Sequence, residues 1–389
     1  MRVGRRFDLR RGEPGLLQRW YAAQPTQRIV VALIERAVVV TESALEAALR
    51  SLHARHGATL GVCLERSRRR LAMRPLARED AVPITTRTGD AWQVATELVH
   101  APFAVGAPLY RAVIADDGHA IVLGLDHIAF DGRSAALFAS EIARTLDGVA
   151  LEPLPFDDAP LDARLDLRPS VRQVLAALRS KPFPAPLLAV EGTMRTGMRH
   201  FAIEDAASVR SRARDRSVSL HAMISVAALD ATAQVLGQTR LRLHTPVSLR
   251  DRCVPEPLGL GVFIAGIDGD FDAPFDARAI RDHLARERPR APGNVGMLAL
   301  AGDLRERARR LDAHASGRTA SVEVSNVGRI EGATRLWLTQ GAHYHGAPFV
   351  LTIVETDAVR ASLSFPEPLV SAARADAFVA AFHTALTRG

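Results

Sequence analysis

The chain has 389 residues, of which 48% are hydrophobic and 24% charged, and its formal net charge is +7. This length exceeds what one ordinary hydrophobic core organises, so two domains are expected. The longest apolar run, residues 29–40, is interrupted by Glu35 and Arg36 and is shorter than the roughly 20 apolar residues of a membrane span. No transmembrane segment is therefore predicted.

The basic residues are almost all arginine, and two explanations fit this bias. A GC-rich genome favours arginine codons, whereas an acidic partner, such as a phosphorylated cofactor or an acidic carrier protein, would be bound through arginine. Aromatic residues make up 5% of the chain, and no stretch interleaves them with clustered arginine. Nucleic acid binding is therefore not expected.

The cysteines and the N-terminus indicate a cytoplasmic protein. Cys63 and Cys253 are far apart and have no metal-like partners, and no apolar segment follows the basic residues 1–8. His343 and His345 lie on one side of a predicted strand, but no third ligand is evident, so no metal site is predicted. We expect a monomer without a permanently bound cofactor.

Hydrophobic periodicity in the first half predicts strands and helices in the order βαββαββα. The predicted strands cover residues 29–40, 58–65, 71–76, 109–115 and 119–125, and the helices run from Thr41 to His53, over residues 91–100 and after Gly132. This order indicates an α/β protein of the α+β sandwich type, with mixed sheets. No glycine-rich phosphate loop follows any strand, so nucleotide hydrolysis and dinucleotide binding are not expected.

Prolines and acidic residues accumulate over residues 148–186, around a short predicted helix at 171–179, and indicate a linker. We therefore place an N-terminal domain at 1–165 and a C-terminal domain at 166–389. The second half predicts strands at 198–203, 240–247, 321–324, 350–355 and 359–365, and helices at 219–236, 276–288, 297–313 and near the C-terminus. The similar content of both halves favours two related lobes.

The residues from Asp126 to Gly132 form the most informative stretch, a His127-x-x-x-Asp131-Gly132 motif between a buried strand and a helix. A loop held at both ends is a good place for a catalytic base. A histidine near its ordinary pKa can deprotonate a hydroxyl or an amine. The alternative is a loop histidine followed by an aspartate that only caps the helix.

The sequence resembles the chloramphenicol acetyltransferase-like superfamily, which includes peptide condensation domains and polyketide-associated acyltransferases. The motif followed by Ser134 matches the active-site signature of that superfamily in position and in letters. The other matching stretches are Arg55-His56, residues 103–111, Pro246-Val247-Ser248-Leu249-Arg250, residues 324–328 and residues 363–369. The last stretch is most similar to the alcohol-esterifying, dimycocerosyl transferase-like branch.

The resemblance implies two lobes with an active-site tunnel between them and a direct attack of the acceptor on a thioester. His127 would be the general base, and Asp131 would be structural, paired with Arg250 or, as second candidate, with Arg55. Gly132 would let the backbone turn and keep the path of the thioester clear. Oxyanion or tunnel contacts would come from Ser325, Asn326 and Gly328, although Asn326-Val327-Gly328 is equally well explained as a plain turn.

The implied activity is an acyltransferase of lipid or polyketide and specialised-metabolite biosynthesis. The acyl donor would be acyl-CoA or an acyl group on the phosphopantetheine arm of an acyl or peptidyl carrier protein. The acceptor would be a small-molecule alcohol, with an amine as the alternative. A freestanding condensation enzyme that forms an amide, or an inactive module that only docks carrier proteins, are the other interpretations.

Three positions depart from the pattern of the superfamily. Asp126 stands where many members have a first histidine, and its carboxylate is expected to raise the pKa of the neighbouring imidazole. Ala104 stands in the place of an aspartate. Residues 56–61 lack a second arginine that condensation domains carry, which weakens the peptide-forming alternative.

Overall fold

The structure is a computed structural model that describes residues 14–24, 28–66, 71–76, 83–155, 157, 159–179, 195–203, 206–301, 303–306, 320–332, 335–341 and 346–388. His343 and His345, which were considered as metal ligands, lie outside these ranges, as does part of the predicted linker.

The first half of the chain builds a sheet around a hydrophobic hairpin. Its helices are α1 (Leu16–Ala23), α2 (Glu42–Arg55), α3 (Gly57–Leu60), α4 (Ala91–His100) and α5 (Gly132–Leu146), and its strands are β1 (Ile29–Glu35), β2 (Val62–Arg66), β3 (Leu71–Pro75), β4 (Ile84–Thr86), β5 (Tyr110–Ala115) and β6 (Ala120–Asp126). The hydroxyl of Thr41 caps α2 by accepting a hydrogen bond from Ala44 N at 3.2 Å. The strand predicted over residues 29–40 ends at Glu35, since Arg36 leaves the sheet and pairs with Asp147.

The second half follows with a longer sheet. Its helices are α6 (Leu161–Arg164), α7 (Val171–Arg179), α8 (Ala206–Asp215), α9 (Leu220–Leu236), α10 (Ala277–Glu287), α11 (Ala291–Gly296) and α12 (Ala372–Arg388), and its strands are β7 (Arg195–Ala202), β8 (Arg240–Ser248), β9 (Ile264–Asp272), β10 (Val322–Arg329), β11 (Leu336–Gln340), β12 (Val350–Glu355) and β13 (Val359–Glu367). Within the helix predicted over 297–313, residues 299–301 form a 3-10 turn and residues 304–306 are helical, and residues 307–319 are not described. Helix α11 ends just before this stretch, at Gly296. The sequence pattern does not predict β9, because its glycines and aspartates disfavour strands.

The first sheet has the strand order β11-β1-β6-β5-β4. Successive side chains of a strand point to opposite faces, so the continuous apolar sequences of β1 and β6 serve two cores. Ala32 and Leu123 pack with α2 and α5, whereas Val31 and Val122 pack with α4. The central strand β6 is buried along its whole length, which gives the residue that follows it a rigid anchor.

The second sheet has the order β7-β13-β12-β10-β8-β9. The apolar faces of α9 and α12 cover one side of it, with Ile224, Leu351, Phe378 and Phe382 in their shared core. The two sheets with their helices confirm the predicted mixed α/β class. No single described helix combines the length and apolarity of a membrane crossing, although the bent pair α8 and α9 satisfies both criteria together.

The two halves exchange elements. Strand β11 belongs to the second half in sequence but pairs antiparallel with β1 in the first sheet, with Leu338 opposite Ala32. Leu16 and Leu17 of α1 pack with Leu249 and Phe263 of the second half. The division at residue 165 stays a prediction, and any such division must allow for these exchanges.

Candidate active site between the two sheets

His127 is the first residue after β6, at the end of the most buried strand of the first sheet. Its backbone N–H donates to the carbonyl oxygen of Arg28 at 2.9 Å, and the residue is 5% exposed. The strand places Asp126 and His127 on opposite faces because side chains alternate. The backbone at His127, the candidate base, is therefore held in place by the neighbouring strands.

The loop after His127 is held by Asp126. The Asp126 carboxylate accepts a hydrogen bond from Ile128 N at 3.0 Å, and its backbone carbonyl accepts from Ala129 N at 3.0 Å and Phe130 N at 3.1 Å. Ile128, Ala129 and Phe130 are all buried. The carboxylate of Asp126 thus serves the loop rather than the imidazole.

Asp131 is fully buried and connects the two halves of the chain. One carboxylate oxygen accepts from Ser134 N at 2.7 Å and caps α5, and the other accepts from Phe263 N of the second half at 2.9 Å. The Asp131 backbone N–H donates to Gly261 O at 3.2 Å. Both the helix start and the facing loop are therefore held by one side chain.

Arg250 closes this arrangement from the second half. Its guanidinium lies 3.6 Å from Asp131 Oδ1, donates to Ser134 Oγ at 2.6 Å and to Gly259 O at 2.8 Å, and stacks over the Phe263 ring at 4.6 Å. Ser134 Oγ in turn donates to Gly261 O at 2.6 Å. The first candidate partner of Asp131 is thus close to it, and Ser134 lies between them.

Arg55, the second candidate partner, does not pair with Asp131. Its Nε donates to Glu141 Oε1 at 3.0 Å, and His56 Nε2 lies 2.5 Å from Glu141 Oε2. Arg55 ends α2, which packs along α5, and so it faces the middle of α5 rather than its first turn. The Arg55-His56 pair ties these two helices together.

Tyr21 of α1 stacks on the imidazole of His127, with ring centroids 4.3 Å apart and an angle of 17° between the planes. Burial lowers the pKa of His127 from 6.5 to about 4, and the charge of Arg28 lowers it further, against smaller opposing effects of its own backbone and Asp131. The expectation that Asp126 raises this pKa is therefore wrong, because the carboxylate lies on the other face of the strand. The imidazole is neutral at pH 7, as a general base must be.

A cleft of about 780 Å³ opens in front of His127, between the two sheets. His127 and Gly132 line it from the first half, and Ser325 and Asn326 line it from β10. Gly132 is the first residue of α5, and a Cβ there would lie 3.1 Å from Val327 Cγ2. Its backbone does not have a positive φ, so the close approach of β10, not a turn, explains the glycine.

Gly328 does not line this cleft. It has a φ of 83° at a bulge of β10, and its N–H donates to the side-chain oxygen of Asn326 at 2.9 Å. The turn interpretation of Asn326-Val327-Gly328 therefore describes the backbone well. The same hydrogen bond orients the Asn326 amide beside the cleft.

Several cleft residues were not predicted from the sequence, among them Tyr21, Arg28, His244 and Glu323. Leu16, Leu17, Trp20 and Tyr21 do carry an amphipathic signal for α1. No residue near α1 in the sequence indicates that this helix packs against His127. No group of three or more described His, Cys, Asp or Glu side chains is arranged to hold a metal ion.

A scan against models of protein families found no match, and a search of curated proteins found none either. Solved structures match over nearly the whole chain. The condensation domain of the monacolin K polyketide synthase MokA is 14% identical and covers 96% of this chain and 95% of its own, with a TM-score of 0.67. Polyketide synthase associated protein 5 from Mycobacterium tuberculosis is 15% identical and covers 97% of this chain and 98% of its own, with a TM-score of 0.65.

A third structure concerns condensation domain-mediated chain release from the enacyloxin polyketide synthase. It is 19% identical and covers 97% of this chain and 82% of its own, with a TM-score of 0.62. These likenesses confirm the predicted two-lobe architecture. The chain has the condensation-domain fold.

Proposed function

We propose that this protein transfers an acyl group from a thioester to a hydroxyl acceptor by direct attack, with His127 as general base. The observation that carries the proposal is a neutral, buried imidazole at the wall of a large cleft between the sheets. Its loop is held on one side by the cap of Asp131 on α5 and on the other by Phe263 of the second half. Such rigid placement supports proton transfer at a defined position.

In this reaction the imidazole of His127 takes the proton of the acceptor hydroxyl while its oxygen attacks the thioester carbonyl carbon. The C–S bond then breaks, and the proton passes from His127 to the departing sulfur. The oxyanion of the intermediate needs a donor, and the candidates are the Ser325 hydroxyl and the Asn326 amide. Because the Asn326 oxygen accepts from Gly328 N, the amide N–H groups are its donors.

Acyl-CoA or an acyl group on the phosphopantetheine arm of a carrier protein would serve as the donor. Two similar structures, a polyketide synthase condensation domain and a polyketide synthase associated protein, support a donor of this kind. A third concerns chain release from a polyketide synthase. These likenesses favour polyketide or specialised-metabolite biosynthesis as the setting.

The test is to incubate the protein with acyl thioesters and a panel of alcohols and amines, and to detect products by intact mass. We expect ester formation that falls at least about 100-fold in His127→Ala, the usual contribution of a general base. His119→Ala, an exposed histidine at the β5–β6 turn, is the matched control and should retain full activity.

Undiminished activity of His127→Ala would refute the assignment of the base. Amide rather than ester products would favour the condensation-enzyme alternative. If the wild-type protein transfers no acyl group to any acceptor, this result would favour an inactive module that only docks carrier proteins.

A further inference from the structure

The wall of the cleft on the second sheet carries a row of charged side chains that the proposed reaction does not use. Arg242 and His244 lie on alternate positions of β8 and line the cleft. In the register of the sheet, His244 is opposite Asp268 of β9 and adjacent to Glu323 of β10. One rung of the sheet therefore places an imidazole between two carboxylates.

His244 is held as a charged donor. Its Nδ1 lies 2.7 Å from Asp268 Oδ1, and no described residue is a hydrogen-bond partner of its Nε2. Burial lowers the pKa of His244, but the charge and hydrogen bond of Asp268 together with Glu323 outweigh it and raise the pKa to about 9. The side chain is 27% exposed, toward the cleft, so its remaining N–H is accessible to a ligand.

The position of this ring depends on Gly266 of β9. A Cβ at Gly266 would lie 2.4 Å from His244 Cε1 and 3.0 Å from Nε2, closer than side-chain contacts allow. The absence of a side chain there leaves the space that the imidazole occupies against the sheet. Two rungs away on the same face of the sheet, Arg242 is paired with Asp270 through two contacts of 2.6 and 3.0 Å.

Glu323 lines the same cleft as the base His127. One of its oxygens accepts from Gln340 Nε2 at 2.7 Å, which leaves acceptor capacity on the carboxylate. Burial raises the pKa of Tyr21, the ring stacked on His127, and the charge of Glu323 adds to this effect. A ligand that presents a reacting hydroxyl to His127 thus has Glu323 and His244 within the same cleft.

Three ligand chemistries fit this wall poorly. A carboxylate would face Asp268 and Glu323, and an ammonium group would face the imidazolium. A long alkyl chain would strip water from the ion pairs without replacing their hydrogen bonds. A hydroxyl group both accepts and donates, so it can accept from the His244 N–H and donate to Glu323.

We propose that His244 and Glu323 form a subsite for a second hydroxyl group of the acceptor, so that the acceptor is a small polyhydroxylated molecule rather than a long-chain alcohol. This inference rests on the proposed acyl transfer and specifies its acceptor class.

The test compares butan-1-ol with butane-1,3-diol, which differ in the second hydroxyl, as acceptors for one acyl-CoA. We expect the wild-type protein to use the diol with a kcat/KM about tenfold higher, the usual effect of a hydrogen bond to a charged group. Glu323→Gln and His244→Asn should lose this preference while their rates with butan-1-ol stay within a few-fold of wild type. Glu46→Gln, the same change at a partly exposed position of α2 outside the cleft lining, is the control and should keep the preference.

Equal use of both alcohols by the wild-type protein would overturn the subsite, as would variants that slow both acceptors equally. Faster ester formation with 3-hydroxypropanoate or 3-aminobutan-1-ol, which keep the primary hydroxyl of butan-1-ol, would replace it by an anion or cation site. If no acceptor reacts, the acyl-transfer proposal fails. Binding of the diol, measured by ligand-observed NMR, then tests the subsite separately. Binding that Glu323→Gln abolishes would support it, and the absence of binding would refute it.

Discussion

Asp126 and His127 are neighbours in the chain but have separate roles, because successive side chains of a strand point to opposite faces. Asp126 holds the loop through Ile128 N, whereas His127 faces the cleft beneath the ring of Tyr21. The pKa of the imidazole is consequently set mainly by burial and by the charge of Arg28, and the adjacent carboxylate is not among its main influences. Burial of an imidazole disfavours its charged form, which explains the lowered pKa.

The stacked ring of Tyr21 should control the pKa of His127. Above its pKa His127 is neutral and competent as a base, so kcat/KM of the wild-type protein should persist until the pH approaches about 4. Tyr21→Ala admits water to the imidazole, and the acidic limb should then move upward toward the ordinary value of 6.5. The measurement is a pH profile of kcat/KM with the thioester assay.

Tyr21→Phe keeps the stacked ring and should leave the acidic limb in place. If the acidic limb of the kcat/KM profile does not move in Tyr21→Ala, the tyrosine ring does not control the pKa of His127. A loss of activity without any shift would assign Tyr21 to substrate binding.

At the scale of elements, helix α5 is the part on which the site depends. Its first turn carries the Asp131 cap and Gly132, and its middle carries Glu141, which pairs with Arg55 and His56 of α2. The loop formed by residues 257–263 wraps around the same first turn through Arg250 and Ser134. The helix is therefore held from both halves of the chain.

Removal of the Asp131 carboxylate should cost more stability than the loss of an ordinary helix cap. Asp131→Ala leaves Ser134 N and Phe263 N without their acceptors in a fully buried place, at a cost of about 2–4 kcal/mol. Asp276→Ala removes the exposed cap of α10 and should cost about 1 kcal/mol. Urea denaturation of both variants measures the difference.

Equal losses in the two variants would contradict a bridging role for Asp131. Asp131→Asn retains one acceptor oxygen and should fall between wild type and Asp131→Ala.

The whole molecule is joined by strands that cross between its halves. Strand β11 belongs to the first sheet, and Thr339 of β11 is hydrogen-bonded to Ser364 of β13 in the second sheet at 2.7 Å. Trp337 donates to Glu35 Oε1 at 2.9 Å, and Arg360 of β13 lies over its ring at 5.5 Å. The cleft thus lies between two sheets that share a common seam.

Trp337→Ala should therefore destabilise the entire protein, not one half. Truncation of a buried tryptophan costs about 3–5 kcal/mol. We expect unfolding in one transition, with coincident midpoints by circular dichroism and fluorescence, both before and after the substitution. Two separated transitions would show that the halves unfold independently in spite of the seam.

Short-range patterns in the sequence account for the local structure of this protein. The alternating and continuous apolar patterns located most strands, Thr41 marked the start of α2, the glycine after the helix predicted at 219–236 marked the end of α9, and the His127-x-x-x-Asp131-Gly132 stretch located the loop at the cleft. These features depend on residues within a few positions of one another, and steric and hydrogen-bonding rules act directly at that range.

The contacts between residues far apart in the sequence depend on the three-dimensional packing of the chain. This packing placed Tyr21 on His127, Glu141 beside Arg55, Phe263 N on Asp131 and β11 in the first sheet. It also set the direction of the His127 pKa, because burial and the charge of Arg28 depend on packing that no neighbouring residue reveals. The row of Asp268, His244 and Glu323 likewise exists only through strand register, which brings three separate segments into one rung of a sheet.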